Sequence, residues 1–149
     1  MSEYLEIEQN GSKAHVSVGA IIVNSNDEVL MLDRKNKPLG WAGPAGHMDM
    51  FDKSPEDALK RELLEEIGID ITPLIKFKIG EEFLPWNVCG SGVKGHYWHL
   101  YLIQMDDKYL DKIRLNAESK ALRWVKRSEL KKLKLEEAFE YWFKKLGWV

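Results

Sequence analysis

The fold of this chain is decided by one short stretch, Arg61-Glu62-Leu63-Leu64-Glu65-Glu66-Ile67-Gly68-Ile69. On a helix, Glu62, Glu65 and Glu66 lie at positions i, i+3 and i+4, so their carboxylates share one face. Such close like charges repel one another unless a cation neutralises them. Mg²⁺ and Mn²⁺ prefer oxygen ligands, which makes a metal site one interpretation of this face. A solvated acidic surface is the alternative and the commoner fate of charge runs.

The residues around the helix favour the metal site. Gly46 lies upstream, Ser54 to Asp57 open the helix, and Gly68 closes it. This arrangement resembles the Nudix box of the MutT-like Nudix hydrolases. That box reads Gly, five residues, Glu, seven residues, then Arg-Glu-U-x-Glu-Glu-x-Gly-U, where U is apolar. From Arg61 to Ile69 the chain matches every specified position.

The first half of the box departs from the family pattern. The position of the first glutamate holds Lys53 when counted back from Arg61 and Asp52 when counted forward from Gly46. One extra residue therefore lies between the two halves. In the family this first acid generally supports the loop through an ion pair with the box arginine. Asp52 is expected to take over that support, and Asp49 is the second candidate.

Composition is typical of a small intracellular enzyme. The 149 residues predict one domain, 1–149, with 44% apolar and 31% charged residues. The net charge of −2 gives no general attraction to nucleic acid or to an anionic membrane. No apolar run is long enough to span a bilayer, and the N-terminus lacks a secretory signal. Cys89 is the single cysteine and is expected to be an inert thiol in a reducing cytoplasm.

Periodicity predicts strands over 15–23, 29–32, 73–83, 96–105 and 121–125. The first two are expected to form a hairpin, and 38–46 and 84–95 are expected to be loops. The segment 108–115 is ambiguous between helix and loop. The C-terminal region carries apolar residues at helical spacing, namely Leu135, Phe139, Trp142 and Leu146. Strands mixed with two substantial helices predict an α/β (α+β) fold, and the resemblance implies an α/β/α sandwich with a mixed, curved sheet.

Within the box, Ser54 is predicted to cap the helix, with Pro55 at its first position and Asp57 at the third. Gly68 is predicted to end it in a left-handed conformation. The apolar residues Leu59, Leu63 and Ile67 recur at i+4 spacing and should dock the helix against the core.

The resemblance also implies roles for the acids. Glu65 and Glu66 are expected to be the principal ligands of Mg²⁺ or Mn²⁺, with the Gly46 carbonyl as an additional ligand. Glu62 would be a ligand or the general base. Glu118, which precedes the tryptophan-containing segment 122–125, is the rival base, although a solvated loop glutamate is equally plausible there. Arg61 is expected to orient a glutamate within the helix.

Residues that bind substrate are harder to choose. A nucleotide base needs an aromatic partner, and Trp41 and Trp86 lie in predicted loops, whereas Trp98, Trp124 and Trp142 are expected in the core. Pro85 lies about where ADP-ribose pyrophosphatases of the family carry a proline.

Basic side chains offer a further set of contacts. Arg34, Lys35 and Lys37 are candidates for binding phosphate, with a solvated hairpin end as the alternative. His47 is expected to hydrogen-bond within its loop, with a substrate contact as the alternative.

Taken together, the resemblance implies a pyrophosphohydrolase that uses Mg²⁺ or Mn²⁺ to cleave a nucleoside diphosphate linked to another moiety. Its partner would be a small nucleotide, with no stable binding to nucleic acid or membrane, and a homodimer is compatible with the family. Two alternatives are a non-catalytic Nudix-like nucleotide-binding or regulatory module, and an interaction protein whose acidic helix is only solvated.

Overall fold

The computed structural model describes residues 3–88, 93 and 95–149. Cys89 and part of the predicted loop 84–95 lie outside the described residues. The strands and helices are β1 (Glu6–Gln9), β2 (Ser12–Val23), β3 (Glu28–Arg34), β4 (Gly40–Ala42), β5 (Ala45–His47), α1 (Pro55–Ile67), β6 (Lys76–Leu84), β7 (His96–Gln104), β8 (Ser119–Lys126) and α2 (Glu137–Lys145). Two 3-10 helices cover Asp107–Lys112 and Arg127–Lys132, and the first lies within the segment that sequence left ambiguous.

Strand β2 is the centre of the sheet. It runs parallel to β7 from the pair His15 and His96 to the pair Val23 and Gln104. Its other edge pairs antiparallel with β1, β5 and β3 in turn. Every residue from 14 to 23 is buried, since helices cover both faces of a central strand and an almost continuous apolar run results. The predicted strand and the mixed sheet are confirmed.

The predicted hairpin is only partly correct. Strands β2 and β3 pair only at their ends, through Val23 and Val29, and β3 forms its long ladder with β8 instead. The reason is that β5 occupies the edge of β2 at residues 17–19. The short strands β4 and β5 also correct the prediction that 38–46 is a loop without regular structure.

Strand β6 is shifted toward the C-terminus relative to its predicted position. The predicted alternation placed Ile75, Phe77 and Ile79 on one face, but Ile75 and Phe77 are 63% and 59% exposed. Ile79 is partly buried against the core. The register with β7 shifts between Lys78 and Gly80, so the alternation does not carry through the strand.

Helix α1 forms as its sequence predicts. The backbone N–H of Asp57 donates to the Ser54 hydroxyl at 3.1 Å, and Gly68 ends the helix at φ 72°. Leu59, Leu63 and Ile67 are fully buried against one face of the sheet. This docking fixes the rotation of α1 and therefore the direction in which its acids point.

Helix α2 covers the opposite face. Its Phe139 and Trp142 are buried together with Trp98, while Trp124 is only partly buried in the other core. The Glu136 carboxylate caps the helix by accepting from the N–H groups of Ala138 and Phe139 at 3.0 Å. The α/β/α arrangement is confirmed. In the part of the chain that the structure describes, no helix has the length and apolar character needed to cross a membrane.

We predict that Leu63→Ala lowers the free energy of unfolding by about 2–5 kcal/mol, because it leaves a cavity beneath α1. The neighbouring Leu64 is 55% exposed, so Leu64→Ala should change it by less than about 0.5 kcal/mol. Urea unfolding of both variants measures the difference. Equal effects would show that α1 does not dock through Leu63.

Candidate active site around Arg61

The guanidinium of Arg61 connects α1 to the loop that precedes it. It donates to both carboxylate oxygens of Asp52, from Nη2 at 2.9 Å and from Nε at 3.3 Å. It also donates to Glu62 Oε1 at 2.9 Å and to the carbonyl of His47 at 3.0 Å. Glu65 lies farther away, at 3.6 Å from Nη1. The orienting role expected of Arg61 is therefore directed mainly at Glu62.

Of the two aspartates that the sequence offered as partners of Arg61, Asp52 makes the closer contacts. Its side chain is only 5% exposed, and it accepts a further hydrogen bond from the backbone N–H of Asp49 at 2.8 Å. The N–H of Asp52 donates back to the Asp49 carbonyl at 3.1 Å, which closes a tight turn. Asp49 reaches Arg61 at 3.4 Å and is the secondary partner. The turn accommodates the extra residue of this loop.

These contacts also set the ionisation of the arginine. Burial alone would disfavour the charged guanidinium, but the hydrogen bonds that it donates to Asp52 and Glu62 outweigh that effect and raise the pKa of Arg61. Arg61 is a permanent cation in the middle of the box.

The carboxylate of Glu62 lies directly against the backbone of Gly46 on β5. A Cβ atom added to Gly46 would overlap the Glu62 carboxyl group. Only glycine therefore allows this approach. The glycine and the acid belong to opposite halves of the box, and the structure brings them into contact.

Glu66 occupies a different environment from the other acids. It is 5% exposed, and its Oε2 accepts from the Ala45 N–H at 3.0 Å. Burial, followed by repulsion from Glu62 and Glu118, raises the pKa of Glu66 well above its ordinary value. Sequence placed Glu66 at the rim of the apolar stripe, whereas its carboxylate is buried.

The ionised form of Glu62 is also disfavoured. Burial is the main cause that raises its pKa to about 7, against the lowering effect of Arg61, and Glu65 and Glu118 add repulsion. A divalent cation would offset both the cost of burying these carboxylates and their mutual repulsion. The residues present therefore fit a hard cation such as Mg²⁺ or Mn²⁺.

A cavity of about 960 Å³ opens over these groups. Glu62, Glu65, Glu118 and Gly46 line it, so the distant Glu118 does reach the box. Arg34, Lys37 and His47 line it as well, and Arg34 is held by its hydrogen bond to the Pro38 carbonyl at 2.8 Å.

The two candidate tryptophans lie elsewhere. Among the described residues that line the cavity, neither Trp41 nor Trp86 is found. Trp41 is half-buried on β4 beneath Arg123, and Trp86 packs beside Tyr141 with ring centroids 5.6 Å apart. Leu39 and Val88 supply exposed apolar surface in the cavity instead.

Sequence reasoning missed a group of three histidines, two of which, His47 and His96, line the same cavity. Nε2 of His47 lies 2.9 Å from Nε2 of His96, and His15 packs beside both rings. Burial is the largest cause that lowers the pKa of all three, that of His47 to about 3. His15 and His96 belong to no motif, and only the parallel pairing of β2 with β7 brings them together.

The sequence of this chain is similar to those of known proteins. The NUDIX domain model matches residues 13–146. The chain belongs to the NUDIX domain family. The 8-oxo-dGDP phosphatase NUDT18 of Danio rerio is 42% identical over 71 residues, which are 46% of this chain and 22% of that relative. The RNA pyrophosphohydrolase of Blochmanniella pennsylvanica is 25% identical over 130 residues, 79% of this chain and 78% of that one.

A solved structure shows the same fold. The NUDIX domain of Shewanella oneidensis NrtR, complexed with ADP ribose, superposes with a TM-score of 0.72 at 17% identity, covering 94% of this chain and 91% of that one. Together with the named relatives, family membership places this chain among the hydrolases that act on phosphoric anhydrides.

We predict that Asp52→Ala lowers the free energy of unfolding by about 1–3 kcal/mol, because Arg61 and the Asp49 N–H both lose a buried acceptor. Asp49→Ala removes only the longer ion pair and should cost less than about 1 kcal/mol. Urea unfolding of the two variants ranks them, and the reverse order would assign the support to Asp49.

A second prediction concerns pH. The folded protein binds the Glu62 proton more tightly than the unfolded chain does, so the contribution of Glu62 to stability falls as pH rises from 4.5 to about 7. In chelator, Glu62→Gln should therefore be more stable than the wild type at about pH 8, and this advantage should shrink toward about pH 5.

Thermal unfolding with and without Mg²⁺ measures the effect. Adding Mg²⁺ should stabilise the wild type more than Glu62→Gln. The exposed Glu140→Gln on α2 is the control and should show no advantage at either pH. A pH-independent difference between Glu62→Gln and the wild type would contradict the prediction.

Proposed function

We propose that this chain is a Mg²⁺- or Mn²⁺-dependent pyrophosphohydrolase. It cleaves the diphosphate linkage of a nucleoside diphosphate joined to another moiety. The observation that carries the proposal is the shared cavity, which is lined by the carboxylates of Glu62, Glu65 and Glu118 and by the basic side chains of Arg34 and Lys37. Acidic and basic groups in one cavity suit a polyanion that binds through a cation.

The metal would be held by Glu62, Glu65 and Glu66, and by the carbonyl of Gly46, whose backbone lies against the Glu62 carboxyl group. Bound there, a divalent cation supplies charge neutralisation for the diphosphate and lowers the pKa of a water molecule. Glu66 contributes only if its buried carboxylate ionises, and its fixed hydrogen bond from Ala45 already favours the ionised form.

The chain's own residues would hold the catalytic carboxylates in place and accept a proton. Arg61 fixes the carboxylate of Glu62, and Asp52 fixes Arg61 in turn. Water attacks one phosphorus atom, the bond from that phosphorus to the bridging oxygen breaks, and the bridging oxygen leaves with the second phosphate. Glu62 and Glu118, which both line the cavity, are the two candidates for the base that accepts the water's proton.

Substrate binding would use other residues that line the same cavity. Arg34 and Lys37 are the candidates for the phosphates, and His47 is the candidate polar contact. Leu39 and Val88, 50% and 56% exposed, offer an apolar surface for the base in place of the predicted tryptophans. The named relatives act on 8-oxo-dGDP and RNA, and the NrtR domain is complexed with ADP ribose. All three support a nucleotide as the substrate of this chain.

The remaining sequence-based expectations belong to this proposal. Residues 1–149 would act as one domain, in the cytoplasm, on a small nucleotide and without stable binding to nucleic acid. A homodimer is compatible with it.

We predict that Glu65→Gln raises the Mg²⁺ concentration needed for half-maximal activity by about 10–100-fold, because one oxygen ligand loses its charge. Glu140→Gln is a matched control, since Glu140 is also exposed and also pairs with a basic residue four positions away on its helix, Lys144. This control should keep wild-type activity.

The assay is a substrate panel with products identified. It contains nucleoside triphosphates, ADP-ribose, nucleoside diphosphate sugars, dinucleoside polyphosphates, NADH and a short RNA with a 5′-triphosphate. If Glu65→Gln hydrolyses every accepted substrate with unchanged Mg²⁺ dependence, the proposed metal site is wrong.

A further inference from the structure

Three of the four histidines of the chain meet at one end of the sheet. His15 on β2 and His96 on β7 are direct partners in the parallel ladder. His47 on β5 lies opposite Ser17, so it approaches from the other edge of β2. The cluster is built on three hydrogen-bonded strands and therefore has a rigid base.

The nitrogen atoms are close enough to share one ion. One ring nitrogen from each of the three histidines lies within 4.8 Å of the other two, and the His47 and His96 Nε2 atoms are 2.9 Å apart. Zn–N bonds of about 2.0–2.1 Å at tetrahedral angles require N···N separations of about 3.3 Å. The widest separation exceeds this by about 1.5 Å at most, which rotation of the rings can supply.

The ring of His96 is already oriented as a metal-binding histidine. Its Nδ1 is hydrogen-bonded to the backbone carbonyl of Asn87. A carbonyl only accepts, so Nδ1 carries the proton and the lone pair of Nε2 points into the cluster. Asn87 is fixed in turn, since its side-chain oxygen accepts from Trp98 Nε1 at 2.8 Å. Such a second hydrogen bond is the usual support of a ligating imidazole.

The other two rings are held by aromatic packing. Tyr4 stacks on His47 with centroids 4.1 Å apart and meets His15 edge-on at 5.2 Å. His15 and His96 are each 4% exposed, whereas His47 is half-buried. His47 and His96 line the cavity, so an ion between the rings would have one side facing it.

We propose that His15, His47 and His96 form a binding site for a divalent transition metal, with Zn²⁺ as the preferred ion, distinct from the carboxylate group around Glu62. Imidazole ligands select Zn²⁺ and its neighbours, whereas carboxylates and carbonyls select Mg²⁺ and Mn²⁺. Three histidines with one open position are a common Zn²⁺ arrangement. The proposal goes beyond the hydrolase activity and does not depend on it.

The test uses the whole chain, stripped with chelator and then kept in saturating Mg²⁺. Zn²⁺ is titrated calorimetrically, and Co²⁺ is titrated as an absorbance probe of nitrogen ligation. We expect one equivalent of each to bind while Mg²⁺ is present. His47→Asn and His96→Asn should weaken binding by at least about 100-fold, since loss of even an outer-shell partner costs 10–100-fold.

Two variants serve as controls. His99 lies on the same strand as His96 but contacts Lys78 at 2.9 Å, so His99→Asn should bind Zn²⁺ as the wild type does. Glu65→Gln should also keep Zn²⁺ binding, although it needs more Mg²⁺ for activity. The half-buried His47 is the variant to rely on if His96→Asn does not fold. Zn²⁺ should raise the melting temperature of the wild type but not of His47→Asn.

The proposal is overturned if no equivalent of Zn²⁺ or Co²⁺ binds in the presence of Mg²⁺. It is equally overturned if binding is lost in Glu65→Gln and kept in His47→Asn, because the carboxylates would then hold the ion. The binding of Zn²⁺ and Co²⁺ is measured independently of catalysis. A failed substrate panel with intact Zn²⁺ binding would reject the proposed function alone.

Discussion

The hydrogen bonds of the Arg61 guanidinium hold the site together. One planar group joins the turn at Asp52, the end of β5 at the His47 carbonyl, and the acid of Glu62 on α1. Each of these belongs to a different segment, so the guanidinium fixes their relative positions. A lysine has a single charged nitrogen and could not bond all three in one plane.

The second constraint is the repulsion among the acids. Glu66 is buried and Glu62 is partly buried, both repel Glu118, and burial raises the pKa of both box acids. Docking of Leu59, Leu63 and Ile67 keeps them there, because rotating α1 to release the charges would expose that apolar stripe. The core therefore holds the two acids close together, an arrangement that a bound cation would stabilise.

Strand β2 connects the two donor sets. On one edge it pairs with β5, which places Gly46 against Glu62 and His47 at the cavity. On the other edge it pairs with β7, which places His96 beside His15. The box carboxylates therefore lie on α1 and the imidazoles on strands β2, β5 and β7, while β5 carries both Gly46 and His47. The two sets suit different ions for the chemical reason that hard cations prefer oxygen and borderline ones accept imidazole.

Local sequence determined much of this protein. The caps of α1, its apolar stripe and the register of Glu62, Glu65 and Glu66 depend on neighbours within a few positions, so pattern alone predicts them. Only the tertiary structure decided which aspartate supports Arg61, since Asp49 and Asp52 differ in contacts across a turn and not in local pattern. It also decided that β3 pairs with β8, that the two tryptophans lie off the cavity, and that three histidines meet. Those outcomes depend on pairing between strands far apart in the chain. The register of such strands cannot be predicted from any short stretch of sequence.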